Sequence, residues 1–185
     1  GQRNVAVGRD CLIANTDADD NTGVGYHALN DNTTGVENAA FGAAGKLGIG
    51  FTDTNVKVGN TALDSLTTAT NNTAVGHNAL TATTTGGYNT GIGDRALTSN
   101  TTGQTNNAFG AQALYTNTTG DNNTAVGHQA LYANTTADNN VAVGYDALTA
   151  NTTGHSNVAV GSGSMFSCTT GAQNIAMGKN SLDAL

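Results

Sequence analysis

The sequence predicts an all-β fold, a parallel β-solenoid of eleven seventeen-residue rungs forming one domain over residues 1–185, and three observations carry that prediction. Glycine recurs as Gly8, Gly25, Gly42, Gly59, Gly76, Gly93, Gly110, Gly127, Gly144, Gly161 and Gly178, with no insertion or deletion between them. Asparagine stands four positions before each of these glycines, and an apolar residue immediately before. A fixed period of this length marks an architecture in which each unit stacks on its neighbours and all units share one core.

Read column by column, the repeat is N-x-A-V-G-x-x-A-L-x-x-N-T-T-G-x-x. Its first column is Asn4, Asn21, Asn38, Asn55, Asn72, Asn89, Asn106, Asn123, Asn140, Asn157 and Asn174. Aligned asparagines in stacked strands form amide ladders, each side chain bonding those above and below, and asparagine also accepts the tight backbone of a turn. This column is therefore expected to be structural.

The column before the glycine is Val7, Val24, Phe41, Val58, Val75, Ile92, Phe109, Val126, Val143, Val160 and Met177, and it is expected to form the core. One position earlier stand eight alanines, Gly23, Gly91 and the exception Lys57. Neighbouring strand residues point to opposite faces, so two adjacent apolar columns imply that both faces are covered. The interior of the coil covers one, and the expectation is that a second chain covers the alanines. The Ala-Leu pair after the glycine, as in Ala130 and Leu131, is read as repeating the same two-faced pattern.

The rung closes through N-T-T-G, seen in its purest form at 117–120 and 151–154. Glycine supplies a positive φ and Asn or Thr caps the bend, so a loop is expected here on every rung. At a strand spacing of about 4.8 Å per rung the rod is on the order of 50 Å long. Recurring Gly, Asn and Thr oppose a helical reading. No capping segment is visible at either end, and since solenoids normally carry polar caps, the expectation is a portion of a longer fibre or a unit that stacks end to end.

The stretches N-T-A-V-G-H-Q-A-L at 123–131 and N-V-A-V-G-Y-D-A-L at 140–148 resemble the repeated N-x-x-A-[IV]-G motif of trimeric autotransporter adhesin heads. They are still more similar to the N-T-A-V-G-x-x-A-L-x-x-N-T-T-G arrays of tail-fibre-like proteins from phages and other viruses. The resemblance spans essentially the whole chain. It implies a left-handed β-roll, three chains about a common axis, and display on a cell surface or virion for attachment. Adhesin heads usually have shorter repeats, so the added residues here are expected to enlarge the N-T-T-G loop.

Composition narrows the function. Net charge is -7 with only six basic residues, which argues against nucleic acid or an anionic membrane as partner. No apolar run approaches the roughly 20 residues of a spanning helix, and no segment has the pattern of a signal peptide.

Candidate reactive groups are few. His27, His77, His128 and His155 fall in three columns on separated rungs, without metal-ligand spacing. Cys11 and Cys168 lie in rungs one and ten, roughly 40 Å apart at the strand spacing and beyond disulfide reach. No triad, phosphate loop or carboxylate pair repeats, so no catalytic residue, cofactor or metal site is assigned. Asp17, Asp19, Asp20, Asp121 and Asp138 could supply oxygen ligands to Ca²⁺, but a solvated acidic rim is the preferred reading. The stretch 45–57 breaks the consensus, with Lys46 in the Leu column and Lys57 in the Ala column. Buried lysines are costly, so both are expected to reach solvent, the alternative being symmetry-related copies gathered around an anion.

The expectation is an extracellular structural and attachment fibre, on a cell surface or virion, without enzymatic activity. Its partners are copies of itself, as a homotrimer that can extend into an end-to-end filament, and a cell-surface or glycan receptor. The competing expectation is an ice- or surface-binding solenoid, because Thr fills one turn column in nine of ten repeats and the next in eight. Sequons at Asn32, Asn71, Asn100, Asn117, Asn122, Asn134 and Asn151 raise a third, a glycan-decorated fibre.

Overall fold

The computed structural model describes residues 1–30, 32–36, 38–41, 55–59 and 61–183. Each rung contributes one three-residue strand, placed where the x-A-V triplet precedes the repeat glycine. In chain order these are β1 (Val5–Val7), β2 (Thr22–Val24), β3 (Ala39–Phe41), β4 (Val56–Val58), β5 (Thr73–Val75), β6 (Thr90–Ile92), β7 (Asn107–Phe109), β8 (Thr124–Val126), β9 (Val141–Val143), β10 (Val158–Val160) and β11 (Ile175–Met177). All pairs are parallel, in two ladders, β1 to β3 and β4 to β11. Within each ladder register never drifts, so Ala125 faces Ala142 and Ala142 faces Ala159. The chain is thus an all-β parallel solenoid, with no helix among the described residues.

The glycine that ends each strand is required twice. Its φ lies between 119° and 142° in the described rungs, a region that L-side chains rarely adopt. A Cβ at Gly127 would also stand 2.4 Å from the carbonyl oxygen of Gly144 on the next rung. Rungs approach this closely because the glycine N–H donates to the preceding rung, as Gly144 does to Val126 O at 2.7 Å.

After the glycine the chain does not form the second two-faced strand that the Ala-Leu pair suggested. Backbone φ is positive two and four residues on, for example Gln129 at 54° and Leu131 at 53°. In this left-handed setting Ala130 and Leu131 both turn inward and both are fully buried. The segment still bonds rung to rung, Leu114 N–H donating to Ala130 O at 3.0 Å and Leu131 N–H to Ala147 O at 3.0 Å. A left-handed leucine costs about 1–2 kcal/mol. Burial of its side chain contributes about 1.5–3 kcal/mol, so the arrangement holds.

The interior is also the reverse of the sequence expectation. The alanine column is inside, with Ala74, Ala108, Ala125, Ala142 and Ala159 fully buried. The column expected to form the core faces outward, with Val7 at 55%, Val126 at 37% and Met177 at 73% exposed. Val58, Ile92 and Phe109 are likewise exposed and Val24, Val75, Val143 and Val160 half-buried, while the side chain of Phe41 lies outside the described residues. Alternation along the strand forces the choice, and the narrow coil admits the smaller side chain. Lys57, expected to reach solvent, is instead 4% exposed within the alanine column. Lys46 and 48–51 lie outside the described residues.

Candidate functional site: the outward strand face

Two asparagine columns hold the rungs in register beneath the strands. In the first, within each ladder the side-chain oxygen accepts the backbone N–H of the next asparagine, as Asn106 Oδ1 does from Asn123 at 2.9 Å and Asn123 Oδ1 from Asn140 at 3.0 Å, while Asn38 Oδ1, at the end of the first ladder, has no partner among the described residues. Its amide donates mainly to the N-T-T-G loop, Asn89 Nδ2 to Gly103 O at 2.8 Å and Asn140 Nδ2 to Gly154 O at 2.9 Å. The column is therefore structural as expected, but it binds backbone more than other side chains, with direct amide contacts as the minority, such as Asn38 Nδ2 to Asn21 Oδ1 at 2.9 Å.

The true side-chain ladder lies in the second column, read from sequence only as turn caps. Asn117 Nδ2 donates to Asn100 Oδ1 at 3.0 Å, Asn134 to Asn117 at 2.8 Å and Asn151 to Asn134 at 3.0 Å. All four are fully buried. Their N-T-T-G glycines are not the positive-φ residues that the turn reading required, since Gly103, Gly120 and Gly154 lack positive φ. A Cβ on Gly120 would meet Asn117 Oδ1 and the backbone oxygen of Ala137, each at 2.5 Å, so the ladder favours a small residue here, glycine or, at 137, alanine. The repeat of N-T-T itself was the available signal for this ladder.

The two threonine columns differ in function. In the first, hydroxyls donate along the rod to backbone, Thr101 to Thr118 O at 3.0 Å and Thr118 to Thr135 O at 3.0 Å. The second, including Thr102, Thr119, Thr136 and Thr153, is exposed. The rod thus presents one free hydroxyl column there, and not a two-column lattice.

Titratable groups act between neighbouring rungs. Asp20 receives two bonds from the Arg3 guanidinium, at 2.6 and 2.7 Å, and that pairing lowers the Asp20 pKa and raises that of Arg3. Asp121 Oδ1 accepts Gln104 N–H and Asp138 Oδ1 accepts Asp121 N–H, both at 2.7 Å, and Asp19 accepts from Gln2. These carboxylates, together with the exposed Asp17, were the candidate Ca²⁺ ligands, and Asp19, Asp121 and Asp138 serve as backbone acceptors. Three histidines pair with aspartates one rung away, His27 with Asp10 at 3.2 Å, His77 with Asp94 at 3.0 Å and His128 with Asp146 at 3.9 Å, and His155 is exposed. Among the described residues no three His, Cys, Asp or Glu side chains assemble into a metal-binding group. Cys11 and Cys168 are free thiols. No described helix is long and apolar enough to cross a membrane.

What remains for recognition is the outward face of the strands. It carries two columns, one at the first strand position and one at the third. None of the residues in either column is charged on any of the eleven strands. The third-position column is apolar throughout and, wherever its side chains are described, exposed or half-buried. Compared with family models, with curated proteins and with solved structures, the chain matches none at a significant level.

Proposed function

We propose that this chain is a segment of an extracellular attachment fibre, displayed on a cell surface or virion, in which three copies associate through the outward strand face. One observation carries the reading: the column from Val7 to Met177 is apolar on every rung, yet wherever its side chains are described it lies outside the coil, in line along each of the two ladders. Fully burying a valine contributes about 1.5–3 kcal/mol, and each rung of the column offers the still-exposed fraction of that gain, 37% at Val126 and 55% at Val7, repeated along the rod. Association through this face replaces the alanine-column interface expected from sequence, because the alanines are already inside. The β-roll resemblance supports three copies, left-handed winding and end-to-end extension into a filament. The role is structural and adhesive, without catalysis, and the receptor is a cell-surface protein or glycan.

A second reading has its own observation. On four strands the outward face pairs threonine with an aliphatic residue, Thr22 with Val24, Thr73 with Val75, Thr90 with Ile92 and Thr124 with Val126. Such a regular neutral face suits binding to an ordered surface such as ice. Electron microscopy of the purified chain separates the two. Threefold rods support the fibre; single rods that halt ice growth support the alternative.

A further inference from the structure

We infer that this chain acquires its fold outside any compartment that attaches N-linked glycans. Attachment transfers an oligosaccharide from a lipid-pyrophosphate donor to an asparagine side chain. The bond from the sugar C1 to the pyrophosphate oxygen breaks, a bond from C1 to Nδ2 forms, one amide proton leaves, and the lipid pyrophosphate is released. The acceptor is Asn-x-Ser/Thr, and the product is bulky and polar, suited to a surface.

Five of the seven sequons here have the opposite surroundings. Asn32, Asn100, Asn117, Asn134 and Asn151 are 0% exposed. An amide nitrogen has two hydrogens to donate, and three of these residues use both. Asn117 donates to Asn100 Oδ1 and Gly120 O, each at 3.0 Å. Asn134 donates to Asn117 Oδ1 at 2.8 Å and Ala137 O at 3.0 Å, and Asn151 to Asn134 Oδ1 at 3.0 Å and Gly154 O at 2.9 Å. A glycan on any of them removes a donor from the ladder and needs space the interior lacks. An unfolded chain meeting the transferase offers all of these asparagines, whereas the folded rod exposes only Asn71 and Asn122. Glycosylation before folding and this fold therefore exclude one another, whatever the rod binds.

The test places the chain behind a secretory leader in a eukaryotic host, beside a variant carrying Thr34→Ala, Thr102→Ala, Thr119→Ala, Thr136→Ala and Thr153→Ala. These threonines complete the five sequons and are exposed, so the substitutions remove the signal and leave the ladder. Both chains are also made in the bacterial cytosol, where equal thermal midpoints establish that the variant folds. The expected result is loss of secretion for the parent, with glycans on the ladder asparagines of the retained chain. The variant is secreted folded, with glycans confined to Asn71 and Asn122. Secretion of folded parent, glycosylated or not, overturns the inference, as does equal failure of the variant to be secreted.

Discussion

Asn123 and Asn134, from the two asparagine columns, donate to one acceptor, the carbonyl oxygen of Ala137, at 2.8 and 3.0 Å. The shared acceptor recurs at Gly103, Gly120 and Gly154. Both lone pairs of each loop carbonyl are thereby used inside the coil. The loop can be buried because its backbone is satisfied by side chains.

Asn134→Ala should therefore destabilise the rod by about 1–3 kcal/mol, since Asn117 Oδ1 loses the donor above it within a buried site. Thr119→Ala, at an exposed position with an ordinary backbone conformation, should stay within about 0.5 kcal/mol. Denaturant midpoints of the two variants check the contrast. Equal midpoints would show that the ladder contributes nothing.

The strand-ending glycine should be the least replaceable position of the repeat. Gly127→Ala meets both a positive φ and a Cβ contact at 2.4 Å to backbone, and unfavourable backbone regions alone cost about 1–3 kcal/mol. Gly120→Ala should be milder, because Ala18, Ala69 and Ala137 occupy the equivalent position on other rungs. Thermal midpoints should rank the parent above Gly120→Ala and Gly120→Ala above Gly127→Ala.

Gly23 and Cys11 compensate for one another. A Cβ at Gly23 would lie 2.5 Å from Cys11 Sγ, and most other rungs carry alanine at both positions. Gly23→Ala alone should cost about 1–3 kcal/mol by overpacking. Adding Cys11→Ala should recover most of it. Additive losses in the double variant, measured by denaturation, would contradict the pairing.

Whole rungs should be removable. Excising residues 118–134 joins Asn117 to Thr135 and restores N-T-T across the junction. Stability in a solenoid sums over neighbouring interfaces, so the shortened chain should unfold cooperatively at a slightly lower temperature. Excising 118–133 leaves every later column one residue out of phase and should yield no comparable transition by circular dichroism.

The period, the parallel stacking and the structural part played by Asn21 or Asn123 were legible because each rests on strict recurrence. The side on which each apolar column falls was not, since Ala125 and Val126 are both apolar and alternation alone leaves the choice open. Side-chain size held the missing signal. The inner column is almost uniformly Ala or Gly, whereas the outer column ranges from valine to Phe109 and Met177, a variation only an open side accommodates. The inward turn of Leu131 was hidden for another reason. Leucine has no preference for a left-handed backbone, and the cost is met by burial and rung-to-rung bonds that recurrence does not reveal. Lys57 remains the one charge inside the alanine column, and its burial followed from no sequence pattern.

The central claim is that the outer apolar column holds copies of the chain together while the alanine column holds each coil together. Solution mass and circular dichroism of Val126→Asp beside the parent test it most directly. The parent should have three times the 18.5 kDa of one chain, and Val126→Asp should fall to a single chain with its β-spectrum and rung structure intact. A parent that is already a single chain, or a Val126→Asp variant that unfolds instead of dissociating, would contradict the account.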